Sequence, residues 1–175
     1  LDVLKSIQTH SKCVIQMTLT TYDEDLCKIL EPNVSTTKER FETLLTLYKE
    51  GIPTIVWLTP ILPFINDNEG NLRGILDYCI KAHVKGIICF DMGVTLREGN
   101  REFFYSKLDQ HFPGLKEKYI HKYGNSYILS SLQNKHLMRI FYQVCEENGI
   151  MHEHEEIFNY LRTYEDHRLN LLDFI

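Results

Sequence analysis

The chain has 175 residues, of which 43% are hydrophobic, and it carries a formal net charge of -5 at pH 7. This length suffices for one well-buried core and is short for two, so we expect a single globular unit. The acidic balance gives no electrostatic footprint for tight, non-specific nucleic-acid binding, although a local basic rim would not show in the sum, and no apolar run is long enough to cross a membrane. We therefore expect a soluble, cytoplasmic protein without a membrane partner.

The first residues, 1–7, have apolar side chains at helical spacing but neither an initiating Met nor an N-cap. We interpret them as the middle of a helix and expect the chain to be a fragment of a longer protein.

Residues 1–98 predict an alternation of strands and helices. Thr36 and Glu39 fit a capping box, and Gly51 has the position that commonly ends a helix. The third strand is almost continuously apolar, as expected for a sheet with helices on both faces. The order βαβαβ implies right-handed crossovers and a parallel sheet. The predicted strands are residues 13–19, 52–59 and 86–90, and the predicted helices include 22–30 and 71–82.

After the third strand the alternation stops, and the pattern predicts helices without new strands. Ser130 and Gln133 fit a capping box for the third of these helices. The last residues, 169–175, are too apolar for a free tail. We divide the chain into an α/β part, residues 1–98, and a C-terminal helical extension packed on it, residues 99–175. The predicted helices of the extension are residues 100–110, 113–123, 132–148 and 153–164.

Polar side chains cluster where the first strand ends. Thr18, Thr20, Thr21 and Asp23 lie at its carboxyl end, which is where α/β proteins bind ligands. Their hydroxyl groups suit hydrogen bonds to a ribose or an amino-acid moiety. The alternative is that Thr18 and Thr20 are ordinary strand residues and that Asp23 caps the next helix.

The next two strands end in polar signatures of their own. Pro60 stiffens the loop after the second strand, and Asn66 belongs to its turn. A long, rigid loop at a strand end favours a function, and a plain structural turn is the alternative. Arg97, just past the third strand, suits bidentate contact with an anion or carboxylate. Its alternative is a surface ion pair with Glu98 or Glu102.

Three further patterns have simpler interpretations. His152 and His154 are two residues apart, whereas metal ligands on one helix face are three or four apart, so we expect a solvated, acid-rich helix start. The aromatic run 103–105 is expected to fill the core or a seam between helices. Five widely spaced cysteines without a CxxC or CxxxCxxC spacing predict buried free thiols rather than a zinc or iron–sulfur motif. The chain shows no complete catalytic apparatus.

Five blocks of the sequence, taken together, resemble a known family. The blocks are residues 17–23, Glu31-Pro32-Asn33 with Arg40, Gly51-Ile52-Pro53, residues 60–67 and Thr95-Leu96-Arg97. In order and spacing they resemble the second half of radical S-adenosylmethionine proteins of the spore photoproduct lyase-like group, often labelled DNA repair photolyases. The resemblance covers about residues 1–110.

The resemblance implies a partial (β/α)6 barrel in which a 4Fe-4S cluster, held by a CxxxCxxC loop, cleaves S-adenosylmethionine to start radical chemistry. This sequence lacks the cysteine loop and the first three strands, so what remains resembles the fourth, fifth and sixth βα units. The cofactor-binding residues that the resemblance implies are Thr18, Thr20, Thr21, Arg40, Pro60, Asn66 and Arg97. Among these, Thr18, Thr20 and Arg40 are expected near the ribose or methionine part, and the last three around the cofactor or the substrate mouth.

We therefore predict an α/β fold, specifically a partial (β/α) barrel of about three parallel βα units followed by a C-terminal helical layer. The parent enzyme would use S-adenosylmethionine and a 4Fe-4S cluster, and we expect the chain alone to bind neither and to be inactive. Its expected partner is the missing N-terminal half of the barrel, or a second copy in a homodimer through the open sheet edge unless a helix covers that edge. Nucleic acid is a candidate substrate of the parent that the acidic balance does not support.

Two other functions compete with this interpretation. In the first, the chain is a non-enzymatic protein-interaction domain with an α/β core, and its C-terminal helices bind a protein partner. A CxxxCxxC motif upstream of Leu1 in the parent reading frame would favour the enzyme instead. In the second, the chain is a small sugar-phosphate enzyme with a complete barrel, which needs about eight strands and is disfavoured by the strand count.

Overall fold

The computed structural model describes residues 1–163, an α/β structure in which helices outnumber strands. The helices are α1 (Asp2–His10), α2 (Glu24–Leu30), α3 (Thr37–Lys49), α4 (Glu69–Lys81), α5 (Asn100–His111), α6 (Leu115–Tyr123), α7 (Asn134–Glu147) and α8 (His154–Arg162). The strands are β1 (Ile15–Thr18), β2 (Thr54–Trp57), β3 (Gly86–Ile88), β4 (Gly93–Thr95) and β5 (Ile128–Ser130). None of the described helices combines the length and the apolar character that crossing a bilayer requires. The apolar residues 169–175 lie outside the described part.

The helix ends follow capping signals that are present in the sequence. Asp23 caps α2 by accepting a hydrogen bond from the backbone N–H of Leu26 at 2.7 Å. Thr36 and Glu39 form the predicted capping box of α3. Gly51, just after α3, has a φ of 72°, a left-handed conformation that glycine adopts without the steric cost of a Cβ.

The first three strands form one parallel sheet in the order β1-β2-β3. Ile15 lies beside Thr54 in its register, and Ile55 lies beside Gly86. Helices connect consecutive strands, so the predicted βαβαβ order and parallel sheet are confirmed. Within residues 1–163, β1 has a partner strand on one side only, so the sheet is open at this edge.

Helices cover the two faces of this sheet unequally. On one face, which we call the covered face, α3, α4 and α7 pack over Val56 and Ile87, and both of these side chains are fully buried. On the opposite face α8 packs Ile157 against Ile55 and Ile88. Because α8 is the one helix of residues 1–163 in that cluster, the described helices leave part of the second face uncovered.

β4 and β5 form a separate, antiparallel two-stranded sheet. A Cβ at Gly93 would lie 2.6 Å from the carbonyl oxygen of Leu129, so this close pairing requires glycine. α5 and α6 pack on the pair around the buried Leu108 and Tyr119. The Tyr119 hydroxyl donates to the carbonyl oxygen of Pro63, which joins this small unit to the loop after β2.

Two predictions for the C-terminal part are wrong. β5 interrupts the region that was expected to contain helices without new strands. Ser130 belongs to β5, where its Oγ donates to Asp91 Oδ2 at 2.5 Å, and α7 begins only at Asn134, so Ser130 and Gln133 form no capping box. The physical reason is length, because a three-residue strand is too short to show an alternating pattern.

Candidate functional site

Part of the sheet's second face is exposed, and we call it the open face: Gln16 and Thr18 of β1, Trp57 of β2 and Phe90 just after β3. Thr18 lies beside Trp57, and Trp57 beside Ile88, in the register of the sheet. Because side chains alternate along a strand, these residues project from the same face. Gln16 and Thr18 are exposed, and 56% of Phe90 is exposed. An amide, a hydroxyl and two aromatic rings therefore meet near the carboxyl ends of the strands.

Neighbouring groups hold the aromatic side chains of the open face in place. The Trp57 indole N–H donates to Gln16 Oε1 at 2.8 Å, and the ring centroids of Trp57 and Phe90 are 6.3 Å apart. The Phe90 ring also lies 4.3 Å from the ring of His154. His154 Nε2 is 3.1 Å from the carbonyl oxygen of Cys89. His154 thus fixes the start of α8 against the loop after β3.

A cavity of about 480 Å³ adjoins the open face. Phe90, Pro60, Asp91 and Val94 are among the residues that line it. Pro60, one of the predicted site residues, therefore lies at the same end of the sheet as the open face. The Asp91 carboxylate in this cavity accepts the hydroxyl of Ser130 at 2.5 Å, which ties β5 to the loop after β3.

Three predicted site residues, Thr20, Thr21 and Asn66, form a buried cluster that we call the edge network. Asn66 Nδ2 donates to the carbonyl oxygen of Thr20 at 3.0 Å and to Thr21 Oγ1 at 3.1 Å. Asn66 Oδ1 accepts from the backbone N–H of Leu62 at 2.6 Å, and Asn71 Nδ2 also donates to Thr20 at 2.9 Å. Every buried side-chain nitrogen and oxygen within residues 1–163 has a hydrogen-bond partner. The hydrogen bonds of the edge network are thus made within the protein.

Arg40 fastens the outer edge of β1 at its carboxyl end. Its Nη1 donates to the carbonyl oxygen of Thr18 at 3.1 Å, and its Nη2 donates to Glu31 Oε2 at 2.6 Å. The other oxygen of Glu31 accepts the hydroxyl of Thr20 at 2.9 Å. Glu31 therefore connects Arg40 to the edge network, and the structure brings five of the seven predicted residues together.

Arg97 lies apart from this group, on the exposed segment after β4. Its Nε donates to the hydroxyl of Tyr127 at 3.3 Å, and this hydrogen bond raises the pKa of Arg97 and lowers the pKa of Tyr127. Among the ion pairs of residues 1–163, none joins Arg97 to Glu98 or Glu102. No hydrogen bond in the same part of the chain joins Arg97 to the other predicted residues.

The sequence patterns miss several residues of this region. Asp67 is a buried carboxylate beside the edge network, and its Oδ2 accepts the hydroxyl of Ser131 at 2.5 Å. Burial raises the pKa of Asp67, and the hydrogen bond from Ser131 opposes part of that rise. An Asn-Asp turn signal does not distinguish a buried turn from an exposed one. Gln16 and Trp57 were detectable, because strand alternation from Thr18 places them on its face.

The described residues by themselves do not fit an iron–sulfur cluster. No three His, Cys, Asp or Glu side chains converge within residues 1–163, and all five cysteines are buried free thiols, as predicted. Burial raises the pKa of Cys89 and of Cys145, each to about 12. Burial therefore disfavours the thiolate form that cluster ligands take.

Comparison of the chain with known protein families, with curated proteins and with solved structures finds no significant match. We therefore infer function from the geometry of the open face and from the sequence patterns.

Proposed function

We propose that the chain is the second half of a radical S-adenosylmethionine enzyme barrel and that its open face is one wall of the active-site cavity. The observation that carries this proposal is the open edge of β1 beside the open face. Ile15 donates its backbone N–H to Pro53, just before β2, and Leu19 donates its own to Trp57 of β2, so by alternation Gln16 and Thr18 direct theirs away from the sheet. An unpaired strand edge is a template for a further strand, and a barrel closes only when every edge is paired.

Helix α1 supports the proposal independently. It directly precedes β1, and none of its residues is buried. Val3 and Ile7, one turn apart, expose 72% and 43% of their surface. Leu4 and Ile15 instead pack on a small apolar cluster that consists of Cys13, Leu47 and Ile52. In a chain of βα units the helix before a strand also packs on the preceding strand. Val3 and Ile7 form an exposed apolar stripe at the position where such a strand would pack.

The open face fits part of S-adenosylmethionine. The Thr18 hydroxyl and the Gln16 amide suit hydrogen bonds to sugar hydroxyls, and the rings of Trp57 and Phe90 suit a purine face. The hydrogen bond from Arg40 fixes the position of Thr18, and the hydrogen bonds of the edge network hold the residues that follow β1. When bound, S-adenosylmethionine supplies the radical chemistry of the family, and the cluster that cleaves it belongs to the other half. Action of the full-length enzyme on nucleic acid stays a prediction from the resemblance.

A non-enzymatic interaction domain is the second candidate. The edge network favours it, because its hydrogen bonds are made within the protein and no ligand is needed to explain those residues. The open edge of β1 and the stripe of Val3 and Ile7 would then receive a strand of a protein partner. In that case no cofactor binds at Thr18.

The parent protein distinguishes the two candidates. We expect its reading frame upstream of Leu1 to encode CxxxCxxC, and we expect the longer protein, reconstituted anaerobically with iron and sulfide, to show 4Fe-4S visible and EPR spectra. In that protein Thr18→Val should raise the KM for S-adenosylmethionine about twofold to twelvefold, since one hydrogen bond contributes about 0.5–1.5 kcal/mol. Thr43→Val, on an exposed position of α3, is the matched control and should leave KM unchanged.

Three results would count against the proposal. An upstream sequence without CxxxCxxC would favour the interaction domain. A stoichiometric cluster on the 175-residue chain alone would show that this chain is not merely one wall of the site. Equal KM values for the two threonine variants would remove the open face from the cofactor site.

A further inference from the structure

A second recess, which we call the α2–α5 pocket, lies between the end of α2 and the face of α5. Its volume of about 390 Å³ falls within the roughly 300–1,000 Å³ of small-molecule sites. Most of its wall is apolar and comes from four segments of the chain. The wall includes Leu30, Leu62, Ile65, Val94, Leu96 and Leu108.

Both basic side chains that line this pocket belong to one helix, α5. Lys107 and His111, about one turn apart on α5, line the pocket, whereas no carboxylate side chain does, although the chain has a net charge of -5. Lys107 Nζ donates to the neutral Oε1 of Gln110 at 3.0 Å, and none of the ion pairs within residues 1–163 involves Lys107. The nearby Asp109 is paired with Lys116 at 2.7 Å. The Lys107 ammonium is therefore available to an external anion.

The mouth of the pocket exposes apolar surface to water. Phe103 of α5 and Ile29 of α2 both line the pocket, and they expose 65% and 42% of their surface. Exposed apolar surface around a concave site is a feature of binding grooves. An apolar interior with basic groups on one side suits a ligand that has both an apolar part and an anionic group.

We propose that the α2–α5 pocket binds an amphipathic carboxylate, with an apolar chain or ring inside and the anionic group at Lys107 and His111. A neutral ligand of the same shape fills the interior equally well but gains nothing from Lys107. An acidic ligand without an apolar part gains the ion pair but no burial. This binding site does not depend on the proposed enzymatic function.

Isothermal titration calorimetry on the 175-residue chain, with octanoate and octan-1-ol as the probes, tests the proposal. We expect saturable binding of octanoate, about twofold to fivefold tighter than that of octan-1-ol, which is the range of an exposed ion pair. Lys107→Gln should lower the affinity for octanoate toward that for octan-1-ol. Lys118→Gln, on an exposed position of α6, should change neither affinity.

A second pair of variants introduces a carboxylate, the first at the mouth of the pocket and the second, as the control, away from it. Ile29→Glu should weaken octanoate more than octan-1-ol, because it adds a like charge at the pocket, while Ile120→Glu on α6 should leave both unchanged. Both positions are partly exposed, so both variants should retain the wild-type circular dichroism spectrum. Absence of saturable octanoate binding, or equal affinities for acid and alcohol, would overturn the proposal. The same conclusion would follow if Ile29→Glu behaved like Ile120→Glu.

Discussion

The covered face and the open face belong to the same three strands, but their side chains do different things. Val56 and Ile87 on the covered face are fully buried beneath three helices. On the other face α8 buries Ile55 and Ile88, yet Phe90 remains 56% exposed. Hydrophobic stabilisation grows with the apolar area removed from water. The covered face therefore contributes most of the stabilisation, and the exposed side chains of the open face contribute less.

The largest expected effect is a difference in stability between two Phe→Ala variants, one for each face of the sheet. Phe141→Ala removes a fully buried ring of α7 from the core over the covered face and should reduce the free energy of unfolding by about 3–5 kcal/mol. Phe90→Ala removes a ring that is mostly in water and should cost less than about 1 kcal/mol. Urea unfolding followed by circular dichroism measures both values. Similar losses for the two variants would mean that the open face is packed as tightly as the covered face.

A smaller effect separates the edge network from the open face. Asn66→Ala leaves the backbone N–H of Leu62 without its acceptor in a partly buried site and should cost about 1–3 kcal/mol. Thr18→Val changes an exposed side chain and should alter the free energy of unfolding by less than about 0.5 kcal/mol. Urea unfolding is again the measurement. If Thr18→Val proved as costly as Asn66→Ala, Thr18 would be a structural residue and a poor candidate for ligand contact.

The sequence predicts what local signals control. The capping box of Thr36 and Glu39 and the apolar third strand follow from neighbouring residues, so the βαβαβ order is correct. The strand-end rule also brings Thr20 and Asn66 together. It does not reveal whether their hydrogen bonds go to each other or to a ligand, because that depends on distances between loops. The pairing of β4 with β5, and the cover that α8 gives to one part of a face, likewise depend on contacts between segments far apart in sequence.

The smallest effect concerns Asp67, the only carboxylate among the buried polar side chains of residues 1–163. Burial raises its pKa above the ordinary value of about 3.9, although the Ser131 hydrogen bond offsets part of this. The folded state therefore binds the proton more tightly than the unfolded state. The resulting stability is fully present below the ordinary pKa and is lost as the pH rises through the folded pKa.

The Asp67→Asn variant has no charge to bury at this position, so its free energy of unfolding should not fall in this way as the pH rises. Between about pH 3 and pH 7 the difference in free energy of unfolding, variant minus wild type, should shift in favour of the variant and then level off. Urea unfolding at several pH values measures the difference, and an NMR titration of the carboxyl group locates the folded pKa directly. A difference that is constant, or that shifts toward the wild type, would mean that the carboxylate is better solvated or better paired than its burial indicates. The charged form of Asp67 would then cost the folded state little, and burial beside the edge network would not by itself identify a destabilising carboxylate.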